Sequence, residues 1–131
     1  MKKLPFVSVI IPTLNEQKYI EPTLKSLKNQ DYKGKYEIIV VDSMSKDDTV
    51  KIAKKYADKV IVIKKKGPSA GRNAGAKEAK GEILLFVDAD TMLLPNVITE
   101  VVKCLRKKEI VGVSVPLIVD DLKKNIYYFT S

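Results

Sequence analysis

The sequence predicts an α/β domain built on a mostly parallel sheet flanked by helices. Short runs rich in Val and Ile alternate with longer segments of helical periodicity, the pattern of successive βα units. Several of those runs are continuously apolar, as expected of strands covered on both faces. The runs also end in polar or acidic residues, and in an open parallel sheet ligands bind beyond the carboxyl ends of the strands.

The expected strands are Phe6 to Ile11, Tyr36 to Val41, Val60 to Ile63, Ile83 to Val87 and Ile110 to Val115. Between the first two, Gln17 to Asn29 sets Ile20, Leu24 and Leu27 on one helical stripe, with Pro22 placed where a first turn tolerates a missing N–H. Ser45 followed by Asp48 resembles a capping box, with Asp in place of the usual Glu or Gln. It opens a helix carrying Val50, Ile52, Ala53 and Tyr56. Pro95 suits the first turn of a helix bearing Val97, Ile98, Val101 and Leu105. Cys104 shares a face with Val97 and Val101 and is expected in the core. Neither an internal repeat nor a linker interrupts these elements, so they form one unit.

The chain has 131 residues, 45% hydrophobic and 31% charged, which suits one globular domain with a real core. A single cysteine excludes an internal disulfide and argues against a cysteine-based zinc site. The longest apolar run, Ile110 to Val119, is about half of the ~20 residues a membrane-crossing helix needs. Phe6 to Ile11 is too short for the core of a secretion signal, so a cytoplasmic location is expected. The formal charge of +8 favours an anionic partner. Lys51, Lys54 and Lys55, however, lie on a helix as a solvated face, and no basic-aromatic repeat supports nucleic-acid reading.

The polar strand ends carry the chemistry. The first strand ends in Pro12-Thr13-Leu14-Asn15-Glu16, the second in Asp42-Ser43-Met44-Ser45 and the fourth in Asp88-Ala89-Asp90-Thr91. Acidic ends sharing one crevice repel unless a cation or hydrogen-bond donors offset the charge. Asp88 and Asp90 point to one face if the strand continues, and whether both reach one ligand depends on how the chain turns there. Mg²⁺ or Mn²⁺, which favour one or two carboxylates together with substrate phosphates, suit such a site. The segment Gly67-Pro68-Ser69-Ala70-Gly71-Arg72-Asn73-Ala74-Gly75 matches neither common phosphate-loop pattern. Its small residues permit close approach to a ligand or to the sheet, and Arg72 is placed to donate to a diphosphate.

With these residues placed, the sequence resembles the family 2 inverting glycosyltransferases of GT-A fold, a Rossmann-like nucleotide-binding fold. The resemblance rests on four motifs in order: Val7 to Glu16, Ile39-Val40-Val41-Asp42-Ser43, Gly71 to Glu82, and Phe86-Val87-Asp88-Ala89-Asp90. It implies that Pro12, Thr13 and Glu16 line a nucleoside pocket and that Asp42 hydrogen-bonds the base. Asp88 contacts the ribose side, and Asp90 binds Mg²⁺ or Mn²⁺ on the diphosphate, with Asp88 as a second metal-side carboxylate. Asn15, Ser43, Gly67, Arg72, Asn73 and Ala89 complete the implied nucleotide-sugar site.

The implied reaction moves a sugar, with inversion, from a UDP or GDP donor to an acceptor hydroxyl or phosphate on a lipid phosphate, polysaccharide or protein. The family's general base lies well beyond the second carboxylate. Asp120-Asp121 are the only later acidic pair, too close in sequence to serve. The 131 residues are therefore expected to be the donor part of a longer domain, binding without transferring, with the base beyond Ser131. Lys123 to Phe129 mixes basic and aromatic residues, as a segment at the cytoplasmic membrane surface does, or as part of a sheet or acceptor helix does.

Two other readings stand beside this one. The apolar run into Asp88-Ala89-Asp90 also looks like the opening of a haloacid-dehalogenase-type phosphatase, with Asp88 as nucleophile and Asp90 as general acid. Thr91 falls one place early for that pattern, and three expected strands precede the motif. A basic nucleic-acid-binding module is the non-enzymatic alternative.

Overall fold

The computed structural model describes residues 3–108, 112–119 and 122–130, with Pro68, residues 106–108 and the last two spans described through their backbone alone. The chain order is β1 (Val7–Thr13), α1 (Ile20–Lys28), β2 (Tyr36–Asp42), α2 (Thr49–Tyr56), β3 (Lys59–Val62), α3 (Pro68–Glu78), β4 (Ile83–Phe86), α4 (Val97–Lys108), β5 (Gly112–Val119) and β6 (Leu122–Thr130). One six-stranded sheet runs in the order β3-β2-β1-β4-β6-β5. The first four strands are mutually parallel, whereas β6 runs antiparallel to β4 and to β5.

Alternation along the central strands divides the core into two layers. Val7, Val9 and Ile11 of β1, with Ile38 and Val40 of β2, pack in one cluster with Ile20, Leu24 and Leu27 of α1 and Val97, Ile98, Val101 and Leu105 of α4. Ile10, Ile39, Val41 and Phe86 form the opposite cluster, against which Ala74 and Ala76 pack. Leu24 and Leu27 are fully buried, and each contributes about 1.5–3 kcal/mol of hydrophobic stabilisation. Pro22 lies in the first turn of α1, where its missing N–H breaks no helical bond.

The Gly-rich segment is itself the helix α3, not a loop before one. Gly71 and Gly75, one turn apart, let it lie against β1. A Cβ at Gly75 would stand 2.4 Å from Ile10 Cγ2, and one at Gly71 would stand 2.8 Å from Pro12 Cβ. Close helix-sheet packing therefore outweighs the helix cost of about 1 kcal/mol per glycine.

Other expectations are corrected. The capping box at Ser45 does not form, because α2 starts at Thr49 after Asp48, which makes no side-chain cap bond, and the Ser45 hydroxyl donates instead to Asp42 Oδ1 at 2.5 Å. Cys104 is exposed. The buried stripe of α4 runs through Val97, Ile98, Val101, Val102 and Leu105, and at 100° per residue Cys104 falls on its rim. Of the readings open for Lys123 to Phe129, the sheet is the one found: the segment lies in β6, which pairs with β4. The expected start of the fifth strand at Ile110, and Asp120-Asp121, lie outside the described residues. Among the described residues no helix is long and apolar enough to cross a membrane.

The crossovers set the position of the site. From β1 the chain moves outward through β2 to β3, then returns along α3 to place β4 on the other side of β1. Strand order thus reverses beside β1, and the crevice above such a reversal is where open α/β sheets bind ligands.

Candidate functional site

At that reversal, over the C-terminal ends of the strands, lies an open cleft of about 460 Å³. Pro12, Thr13, Leu14 and Glu16 line it from the end of β1, Ser43 from β2, Gly67 from the start of α3, and Asp88, Ala89 and Asp90 from beyond β4. Its size falls within the range of small-molecule and cofactor pockets, ~300–1,000 Å³.

Parallel register sets Thr13 beside Asp42, and the Thr13 hydroxyl donates to Asp42 Oδ1 at 2.6 Å. The Asp42 carboxylate is completely buried and also accepts the Ser45 N–H on Oδ2 at 2.7 Å. With the Ser45 hydroxyl as a further donor, the buried charge is offset by hydrogen bonds. Ser45 Oγ in turn accepts the Asn15 N–H at 2.8 Å.

The loops after β1 and β2 are bonded together at several points. Asn15 Oδ1 accepts Lys46 N–H at 2.9 Å, Gln17 Oε1 accepts Asp48 N–H at 2.9 Å, and Thr49 Oγ1 accepts Glu16 N–H at 2.9 Å. Asn15 and Met44 adopt left-handed backbone, φ 53° and 60°, a conformation uncommon outside glycine and, among other residues, most accessible to Asn and Asp. Asp47 accepts the hydroxyl and the N–H of Thr49 and the N–H of Gln17. The Thr49 hydroxyl, foremost among these donors, holds its carboxyl below the usual range.

Beyond β4, Val87 N–H still donates to Ile10 O at 3.0 Å, after which Asp88 O accepts Thr91 N–H at 3.2 Å and closes a turn. Asp88 and Asp90 are thus carried on a turn and not on a continuing strand, and both are half-buried lining residues. Helix α1 and Gln30 just past its end fix this segment from behind. The buried Thr23 hydroxyl donates to Ala89 O at 2.7 Å, Ser26 Oγ accepts Leu93 N–H at 3.0 Å, and Gln30 Nε2 donates to Leu94 O at 2.7 Å. Gln30 Oε1 accepts Ile98 N–H at 3.0 Å, satisfying one of the free donors at the start of α4.

Most of the expected site residues therefore meet in one cleft: Pro12, Thr13, Glu16, Ser43, Gly67, Asp88, Ala89 and Asp90. Four do not line it. Asp42 lies beneath the cleft, engaged by Thr13 and Ser45. Asn15 turns to the Lys46 backbone. Arg72 is half-buried and Asn73 exposed on α3. Leu14 lines the cleft although its apolar side chain gave no sign of it, and the bracing roles of Thr23 and Ser45 become visible only with the fold.

A mostly parallel sheet with an acidic cleft above its order reversal is the arrangement in which open α/β folds hold their ligands at the strand ends. Residues 8–130 match the family described as Glycosyl transferase family 2, and the chain belongs to that family. Over 90 residues it is 43% identical to the poly(ribitol-phosphate) beta-N-acetylglucosaminyltransferase TarS of Staphylococcus aureus, covering 63% of this chain and 16% of TarS.

The crystal structure of S. aureus TarS 1-349 in complex with UDP-GlcNAc is similar with a TM-score of 0.78 and 32% identity, over 88% of this chain and 36% of that one. The mannosyltransferase PcManGT from Pyrobaculum calidifontis, in complex with GDP-Man and Mn²⁺, is similar with a TM-score of 0.82 and 26% identity, over 99% of this chain and 45% of that one. The chain thus spans less than half the length of these relatives, and its fold is the GT-A arrangement. Family membership sets aside the phosphatase reading, as does the position of Asp88 after β4, the fourth strand in the chain.

Proposed function

We propose that the cleft binds a nucleoside-diphosphate sugar and that these residues form the donor side of an inverting, metal-dependent glycosyltransferase. The observation that carries this reading is the convergence of three strand ends on one cleft with Asp88 and Asp90 on its wall. UDP and GDP sugars are the donors we assign, in keeping with the ligands of the two similar structures.

The residues present fit Mg²⁺ or Mn²⁺. They offer carboxylate oxygen in an open cleft, and no group of three or more His, Cys, Asp or Glu that could hold a metal occurs among the described residues. That suits an ion completed by substrate phosphate and water and not a closed four-ligand zinc site. Asp90 would hold the ion with Asp88 as a second carboxylate, and Asp88 would also contact the ribose side. When bound, the ion supplies positive charge to the departing diphosphate. Thr13, Pro12 and Glu16 form the nucleoside wall, and Asp42, buried beneath the cleft, fixes Thr13 from below. The acceptor hydroxyl or phosphate attacks from the face opposite the diphosphate, its proton taken by a general base supplied from outside these 131 residues.

Calorimetry with UDP, GDP, CDP and dTDP sugars, each with and without Mn²⁺, tests the assignment. We expect one or two of them to bind, with Mn²⁺ tightening binding tenfold or more and Asp90→Asn abolishing that gain. A folded chain that binds none of them, or binds equally without metal, refutes the donor-site reading.

A further inference from the structure

We propose that the pole carrying the cleft docks on an anionic lipid bilayer through Lys64, Lys65 and Lys66 together with the exposed apolar side chains of Met44 and Val62. These lysines are consecutive and exposed. No acidic residue lies between Asp58 and Glu78, so the trio has no carboxylate beside it in sequence. Like charges in sequence repel, and such a run persists at low cost where an anionic partner neutralises it.

The trio is fixed to the cleft. Ile63 N–H donates to Asp42 O at 2.8 Å, the Ser43 hydroxyl donates to Lys65 O at 3.4 Å, and the next residue after Lys66 is the cleft-lining Gly67. Met44 and Val62, 55% and 54% exposed, stand at the ends of the same two strands, where Val62 pairs with Asp42. Lys46, also exposed, follows in the same loop. Basic side chains interleaved with exposed apolar ones at one pole match a negatively charged interface in which apolar groups enter the headgroup boundary. An acidic soluble polymer explains the lysines and leaves the apolar pair unexplained. Docking here sets the cleft mouth at the bilayer, within reach of a lipid-borne acceptor. The inference concerns the surface beside the cleft and does not rest on the donor assignment.

Vesicle co-sedimentation of the 131-residue chain tests it, using phosphatidylcholine alone and phosphatidylcholine with about a third phosphatidylserine. We expect partition to the anionic vesicles only, weakening with salt. The triple variant Lys64→Gln, Lys65→Gln, Lys66→Gln should lose on the order of 100-fold, about fivefold per lysine. The triple variant Lys33→Gln, Lys35→Gln, Lys80→Gln removes equal charge at the opposite pole and should lose less than fivefold. Met44→Gln should weaken the binding that survives high salt. Circular dichroism melts and nucleotide calorimetry on the same proteins separate loss of docking from loss of fold or of the donor site. The proposal is overturned if the parent ignores anionic vesicles, if both triple variants lose equally, or if inorganic phosphate at constant ionic strength displaces the protein from the vesicles.

Discussion

Replacing Thr23 by Val tests whether helix α1 holds the Asp88-to-Asp90 turn in place. Thr23 is fully buried, Ala89 is 5% exposed, and the hydroxyl-to-carbonyl distance is 2.7 Å. Valine keeps the branched shape and a similar helix propensity, so the change removes the donor and little else. The Ala89 carbonyl is then left buried without that partner, which costs about 1–3 kcal/mol. With a urea dependence of about 2 kcal/mol per molar, the middle of the range for a small domain, the unfolding midpoint should fall by roughly 0.5–1.5 M. Metal-dependent nucleotide-sugar affinity should fall as well, because the turn bearing both carboxylates loses its anchor. Thr23→Ser keeps the bond and loses a methyl worth about 1 kcal/mol, so it should lower the midpoint while sparing affinity. A valine protein with both midpoint and affinity unchanged would refute the bracing role.

Further expectations follow from single contacts. Gly75→Ala should lower stability by up to about 2 kcal/mol in urea melts, since overpacking against Ile10 and Val41 costs about 1–3 kcal/mol against a helix gain of ~1 kcal/mol; a stabilised variant would show that α3 lifts freely from β1. The Asp47 carboxyl is held low when folded, so its stabilisation is present above the unfolded value of about pH 4 and is lost as pH falls through the folded value. Asp47→Asn should therefore flatten that part of the acid limb of stability measured against pH and leave the neutral region parallel to the parent. Cys104 is exposed and should be alkylated by iodoacetamide in the native protein at nearly the rate seen in urea, whereas a core thiol would be protected.

The parallel core and the cleft were legible in the sequence because both follow from local patterns. Continuous Val and Ile runs specify strands buried on both faces, and the polar residues that end them must then meet above the order reversal. What was not legible depends on tertiary choice. The glycines of α3 lower its intrinsic helicity, and only the surfaces of Ile10 and Pro12 beneath it make their small size an advantage. Ser45 has the spacing of a helix cap, yet Asp42 lies within reach and a buried carboxylate competes more strongly for the hydroxyl. The segment of β6 has little alternation and opens with Lys123-Lys124-Asn125, so nothing local marks it as the antiparallel neighbour of β4.

The hydrogen bonds of α1 explain how irregular chain can present a defined site. Its entry is tied to Glu16, whose carbonyl accepts the N–H groups of Tyr19 and Ile20, while the Glu16 N–H is held by Thr49. One turn on, Thr23 holds the carbonyl of Ala89, and Ser26 and, just past the helix end, Gln30 take the backbone from Leu93 to Ile98. A single rigid element thus sets the spacing between the β1 wall of the cleft and the turn carrying Asp88 and Asp90. Rigid support of this kind lowers the ordering cost on binding. It also means that the side chains deciding how well the cleft is formed lie on α1 and just past its end, in residues that do not line the cleft.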